Sequence, residues 1–154
     1  MLTQNQKAPD FSLPDQDGVT HTLAQYLGKP VLLYFYPKDD TPGCTTEACT
    51  LRDSFPQFSN LDAVVLGVSC DTVKSHKKFH DKYHLTFPLL ADEQKEVVNQ
   101  YEVYGNKKFM GREYMGINRV SYLIDAQGMI ARVYENVKPA THAQEVLTDL
   151  QSLS

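Results

Sequence analysis

The sequence predicts a mixed α/β fold in a single domain spanning residues 1–154. Three observations lead there. Two short apolar runs, Val31–Tyr36 and Ala63–Ser69, are separated by a helix-compatible stretch; continuous apolar strands linked through helices pair in parallel and are covered on both faces. Two further runs, Val120–Ile124 and Ile130–Tyr134, flank Asp125-Ala-Gln-Gly128, which reads as the turn of a β-hairpin. A helix-compatible stretch from Thr141 to Gln151 closes the chain. At 154 residues the chain is long enough to bury a sizeable core without disulfide or metal staples.

The elements follow in order. Ala8 to Gly18 alternates apolar and turn residues, an extended N-terminal segment closing on Asp17-Gly18. Thr22 to Leu27 reads as one or two helical turns, stopped by Gly28 and Pro30. Val31–Tyr36 is short, β-branched and aromatic, hence a buried strand. Pro37 ends it, and Thr41-Pro42-Gly43 makes a tight connection. Thr45 to Phe55 has few breakers, with Glu47 early and Arg52 late, the order a helix dipole favours. Ala63–Ser69 is a second buried strand, and Asp71 to His84 a charged helix. Asp92 to Val103 predicts another helix, its apolar face formed by Val97, Val98, Tyr101 and Val103.

Composition excludes several classes of function. Fifteen basic against nineteen acidic residues leave no basic footprint for nucleic acid. No apolar run reaches 18 residues, so no membrane-spanning helix is expected. Met1 to Lys7 lacks the apolar centre of a secretory signal. Three cysteines are too few, and odd in number, for a secreted disulfide framework; they suit a reducing cytoplasm.

The chemistry gathers at Cys44, where a strand hands over to the first turn of a helix. Free N–H groups and the positive end of the dipole stabilise negative charge there, which favours the thiolate, the nucleophilic form of cysteine. An inert small hydrophobe is the alternative, but the Pro, Thr, Pro and Gly before it and a second cysteine close behind argue for chemistry. Thr41 carries a hydroxyl able to fold back onto the sulfur or a bound substrate. On an ideal helix Cα44 and Cα49 lie roughly 8–9 Å apart, whereas a disulfide needs Cα atoms within about 7 Å. Either Cys49 is an ordinary core residue, or the first turns unwind so that the two sulfurs meet.

Pro37-x-x-x-Thr41-x-x-Cys44 resembles the active-site signature of peroxiredoxins, and Tyr36 to Cys49 resembles their peroxiredoxin Q, or bacterioferritin comigratory protein, subfamily. Ala8–Phe11, Phe87–Asp92, Lys107–Gly111 and Arg119–Asp125 fall in the family's order, so the similarity covers essentially the whole chain. The resemblance implies a thioredoxin-like fold, a mixed central sheet flanked by helices, with an N-terminal extension. It implies a thiol peroxidase acting on hydrogen peroxide and organic hydroperoxides. Cys44 would become a sulfenic acid, Cys49 would resolve it as an intrachain disulfide, and thioredoxin or a similar dithiol would reduce that disulfide. Thr41, Gly43, the Cys44 amide and Arg119 would orient the peroxide and Pro37 would shield the sulfur. No metal or organic cofactor is needed, and a monomer is preferred because the disulfide needs no partner subunit.

Other residues admit two readings. Arg119 is either a solvated strand-end arginine or, as the family implies, a cation aimed at the reactive sulfur, with Glu47 able to hold it. Ser121 and Tyr122 stand where the family often has threonine and phenylalanine. Asp39 and Asp40 read as solvated loop residues in turn or partner contacts. His76, His80 and His84 recur at a spacing that can bind zinc or copper, but four surrounding lysines favour a solvated basic helix face. Cys70 reads as a partly buried strand-end cysteine, or as a thiol competing for oxidised Cys44. A redox sensor or disulfide-exchange protein using Cys44 and Cys49, and a metal-binding module built on the histidines, are the alternatives to the peroxidase. Thioredoxin-like enzymes use Cys-x-x-Cys, which this pair is not.

Overall fold

Period-two alternation along one fully buried strand organises the architecture. A computed structural model describes residues 1–153. Strands β1 (Ser12–Pro14) and β2 (Thr20–Thr22) form a small antiparallel hairpin, and a 3-10 turn (Ala24–Tyr26) leads into β3 (Val31–Phe35). Helices α1 (Pro42–Asp53) and α2 (Phe55–Asn60) follow, then β4 (Val64–Ser69), α3 (Val73–Lys82), β5 (Leu89–Ala91) and α4 (Glu96–Gln100). The chain ends with β6 (Tyr104–Phe109), β7 (Arg112–Ile117), β8 (Val120–Ile124), β9 (Ile130–Tyr134) and α5 (His142–Leu153). The central sheet runs β5-β4-β3-β8-β9, parallel through β5, β4 and β3 and antiparallel through β8 and β9. This is the mixed sheet that the paired apolar runs and the hairpin predict.

Successive β3 side chains point to opposite faces. Val31, Leu33 and Phe35 pack with Leu66, Val68, Tyr122 and Ile124 against the N-terminal segment and α4. Leu32, Tyr34 and Tyr36 pack on the other face with Leu51 of α1, Phe79 of α3 and Val146 and Leu150 of α5. Cys44 and Ala48 belong to this second layer. The face of α1 that carries Cys44 is therefore pressed onto the sheet.

Several boundaries differ from the sequence reading. The helix expected over 92–103 is a short α4 of five residues, because Lys95 and Glu102 take positive φ and bound it on both sides. The helix expected over Asp71 to His84 runs from Val73 to Lys82, and His84 lies beyond it with φ of 51°. The β6–β7 hairpin, a two-stranded sheet of its own, carries exposed Phe109, Met110, Tyr114 and Met115. No helix among the described residues is long and apolar enough to cross a membrane.

One close approach is testable. Gly67 pairs with Tyr34 across β3 and β4, and a Cβ on Gly67 would lie 2.8 Å from Tyr34 Cζ and Oη. Tyr34 is fully buried and cannot swing aside, so Gly67→Ala is expected to destabilise the protein by about 1–3 kcal/mol. Chemical denaturation checks this; a midpoint equal to wild type would mean that the ring relaxes without strain.

Candidate active site

Cys44 sits in the first turn of α1 and is 1% exposed. Thr41 caps the helix in extended conformation, and Pro42 opens it, where a missing N–H costs no helical bond. The first backbone bond across the start runs from Thr45 N to Thr41 O at 2.8 Å. The amides of Gly43 and Cys44 come before that ladder, among the N–H groups a helix leaves unpaired at its start. The Thr41 hydroxyl donates to the Lys38 carbonyl at 2.9 Å rather than folding back onto the sulfur. That bond ties the cap to the loop before it.

A cation meets the sulfur from β8. Arg119, immediately before that strand, donates from Nη2 to Cys44 Sγ at 3.3 Å and from Nη1 to Glu47 Oε1 at 2.7 Å. The solvated strand-end alternative for Arg119 is excluded by these two contacts. Gly43 leaves room for the guanidinium: a Cβ there would stand 3.1 Å from Nη2 and 3.8 Å from Pro139 Cγ. Burial works against the charge on Arg119, yet Cys44 and Glu47 together hold its pKa above the ordinary value. Ser121, two residues on, meets buried His142 Nε2 at 2.8 Å, and the Tyr122 hydroxyl donates to the Tyr101 carbonyl at 2.6 Å.

Glu47 is wholly buried, and its Oε2 has no hydrogen-bond partner. Burial outweighs the attraction of Arg119 and pushes its carboxyl up from 4.5 to about 7. Between pH 4.5 and about 7 the native state keeps a proton that the unfolded chain has released. This group's contribution is therefore complete below that window and is lost as pH rises through it. Wild type is expected to lose about 3 kcal/mol more than Glu47→Gln across the window, read from denaturation midpoints at its two ends. Parallel pH dependence in the two proteins would contradict the buried carboxyl's role.

Cys49 lies on the same continuous helix as Cys44 and is half-buried. All three cysteines are free thiols, and ideal helical spacing of about 8–9 Å keeps Cys44 and Cys49 apart while α1 is intact. Cys70 follows β4, half-buried, and burial pushes its thiol up to about 11, with Asp92 adding to the effect. It is a strand-end cysteine held in its protonated form.

Two expectations about charge are corrected. Asp39 is not a solvated loop residue: it is buried, accepts from the Tyr36 hydroxyl at 2.6 Å and Ser75 Oγ at 2.8 Å, and is hydrogen-bonded to His76 Nδ1 at 2.7 Å. His76 is accordingly not on a solvated basic face but wholly buried. His80 is half-buried and His84 exposed, and the three histidines form no metal-capable group among the described residues. Asp40 is exposed as expected and binds Lys82 Nζ at 2.7 Å and the Tyr83 hydroxyl at 2.8 Å. Asp39, Asp71 and His76 are the one group of three metal-capable side chains found among the described residues. Their atoms are already engaged with one another and with Ser69 and Ser75.

Two neighbours of the site gave no clear signal in the sequence. Pro139 stands over Gly43, and its carbonyl accepts from Thr50 Oγ1 at 3.2 Å, joining the β9–α5 loop to α1. Lys107, on β6, lies within electrostatic reach of Arg119 and Cys44; burial and Arg119 lower its pKa.

Residues 4–133 match the model of the AhpC/TSA family. The chain is 47% identical over 149 residues to peroxiredoxin Bcp of Bacillus subtilis, covering 97% of this chain and 95% of that one. It is 46% identical over 144 residues to peroxiredoxin Bcp of Escherichia coli, covering 94% and 92%. A structure of the Xanthomonas campestris bacterioferritin comigratory protein, described for its alkyl peroxide reduction activity, superposes with a TM-score of 0.91 at 34% identity, covering 98% and 99%. A mutant of PrxQ from Xylella fastidiosa gives a TM-score of 0.94 at 34% identity, covering 99% and 98%.

Proposed function

We propose the following course of reaction for this chain, which belongs to the AhpC/TSA family and, within it, to the bacterioferritin comigratory protein/peroxiredoxin Q subfamily. The protein is a thiol peroxidase, and its fold is the thioredoxin-like fold of that subfamily. The Cys44 thiolate attacks one peroxide oxygen; the O–O bond breaks, sulfur gains the S–O bond of a sulfenic acid, and the other oxygen takes a proton and leaves as water or an alcohol. Arg119 offers its charge to the sulfur and to the oxygen that becomes negative as the bond breaks. The Gly43 and Cys44 amides and the Thr41 hydroxyl oxygen line the approach, and Pro37 limits water around the sulfur. The observation that carries this reading is the 3.3 Å contact from Arg119 Nη2 to Cys44 Sγ at a helix start.

The second half of the cycle uses Cys49. Once α1 opens at its first turns, the Cys49 thiol attacks the sulfenic sulfur, expels water and forms the Cys44–Cys49 disulfide. Thioredoxin reduces that disulfide by thiol–disulfide exchange. Organic hydroperoxides are substrates beside hydrogen peroxide, a reading supported by the alkyl peroxide reduction described for the Xanthomonas campestris relative. A reducing cytoplasm, which supplies the dithiol, is the compartment, and one chain suffices for the cycle. Sensing or disulfide exchange without turnover is not favoured.

The test separates the two halves. With a thioredoxin system, wild type turns over hydrogen peroxide continuously. Cys49→Ser is expected to consume one equivalent and then stall, with steady-state turnover down by about 100-fold or more while the first equivalent reacts at the wild-type rate. Sustained turnover by Cys49→Ser would remove Cys49 from the resolving role.

A further inference from the structure

Loop 37–41, which presents Thr41 and leads into Cys44, is gripped from the side by α3. The exposed grip is Asp40 against Lys82 and Tyr83. The buried grip is Asp39, whose side chain lies against His76 with both residues sequestered from solvent. His76 is fully enclosed, and each ring nitrogen faces an acceptor: Nδ1 faces Asp39 Oδ2 at 2.7 Å, and Nε2 faces the Leu90 carbonyl at 2.9 Å. A carbonyl can only accept, so Nε2 carries a proton. Asp39 also receives the hydroxyl protons of Tyr36 and Ser75, and its Oδ2 lies 2.7 Å from Nδ1, so one proton is shared in a hydrogen bond between ring and carboxyl group. The Asp39 amide donates to Asp71 Oδ2 at 2.9 Å, and Ser69 Oγ holds that same oxygen at 2.7 Å. Asp39 is thus fixed by the residue that follows β3, by the end of β4 and by α3 at once, and His76 also reaches β5.

We propose that His76 is a positioning residue for the peroxidase reaction: through its buried bond to Asp39 it fixes loop 37–41, and so the place of Thr41 beside Cys44, on the part of the fold that stays put when α1 opens. The role rests on the proposed reaction of Cys44. The physical reason is a division of labour within the site. The resolving step needs the first turns of α1 to come apart, yet the peroxide step needs Thr41 and the sulfur in a fixed relation. No side chain of α1 takes part in the Asp39–His76 anchor, so opening the helix breaks none of its bonds. Thr41 is linked back to this anchored loop by its hydroxyl bond to the Lys38 carbonyl.

Loss of the anchor is expected to act on the peroxide step alone. In His76→Gln, kcat/KM for hydrogen peroxide should fall about tenfold with KM rising in proportion, since displacing a reacting group by about 1 Å can cost up to ~100-fold. The kcat at saturating peroxide, set by the later disulfide steps, should stay within about twofold of wild type. Asp39→Asn should give the same split, and the double variant should be no worse than the worse single one, as expected for two residues acting as a unit. Tyr36→Phe deletes one hydroxyl from the same carboxylate with little change of shape, and should show a smaller loss of the same kind. It keeps the test decisive if His76→Gln does not fold. A purely structural anchor would lower the melting temperature and leave kcat/KM of the folded protein alone, and that result, in His76→Gln or in Tyr36→Phe, would overturn the proposal. Wild type run beside the variants distinguishes the other failure: a wild type inert to peroxide would overturn the peroxidase reading itself.

Discussion

Cys44→Ser is expected to lose peroxide reduction by about 10⁴-fold or more, the scale on which removal of a covalent nucleophile acts. The reason lies in the element. Sulfur takes the peroxide oxygen into an S–O bond and releases the weak O–O bond, whereas a serine oxygen making the same attack would only exchange one O–O bond for another. A serine also remains a neutral hydroxyl at the helix start, where a thiolate gains from the N–H groups and from Arg119. The change should cost little structure, because serine is close to cysteine in size and is accepted in a first helical turn. Peroxide consumption followed beside the thermal melt separates the two effects. A folded Cys44→Ser retaining more than a few per cent of activity would move the nucleophile elsewhere.

Arg119→Leu carries the second largest effect. The guanidinium makes two directed bonds from a fixed planar fork, one to the sulfur and one to Glu47, so its charge is in place before the O–O bond begins to break. Removing one such preorganised donor costs about 10²–10³-fold, and that loss is expected in kcat/KM for peroxide. Arg119→Lys should recover only part, since one ammonium cannot reproduce the fork. Structure should survive, because Glu47 deprived of its partner can stay protonated at neutral pH in its buried site. Equal peroxide rates in Arg119→Leu and wild type would show that the contact to Cys44 has no part in the reaction.

What the sequence made legible, and what it hid, divides by range. β3 and β8 were readable because a buried strand writes its character into five adjacent residues, and half-buried β9 because Asp125–Gly128 marks the turn before it. The handover from strand to helix at Cys44 was readable for the same reason. The β6–β7 hairpin was not assigned as strands: Tyr104–Phe109 is mostly accessible to solvent, so no apolar alternation announces it. The short α4 was read too long because Tyr101 keeps helical spacing with Val97 and Val98, and apolar Val103 follows although the chain has already turned at Glu102. At the site, the bond joining Arg119 to Glu47 spans 72 residues and that joining His76 to Asp39 spans 37. Family resemblance supplied the first of these pairs. Nothing local supplied the second, since a histidine among lysines on a charged helix has the composition of a solvated face; only the packing of α3 against loop 37–41 turns it inward.

The central claim is that Cys44 is oxidised first and is then joined to Cys49 as α1 opens. The direct measurement is a thiol map: fully reduced protein receives one equivalent of hydrogen peroxide, is alkylated and digested, and its peptides are weighed by mass spectrometry. The expected result is rapid loss of free Cys44 and Cys49 into one intrachain-linked product, with Cys70 alkylated as in the reduced protein. A Cys44–Cys70 link, or three thiols still free after peroxide, would contradict it.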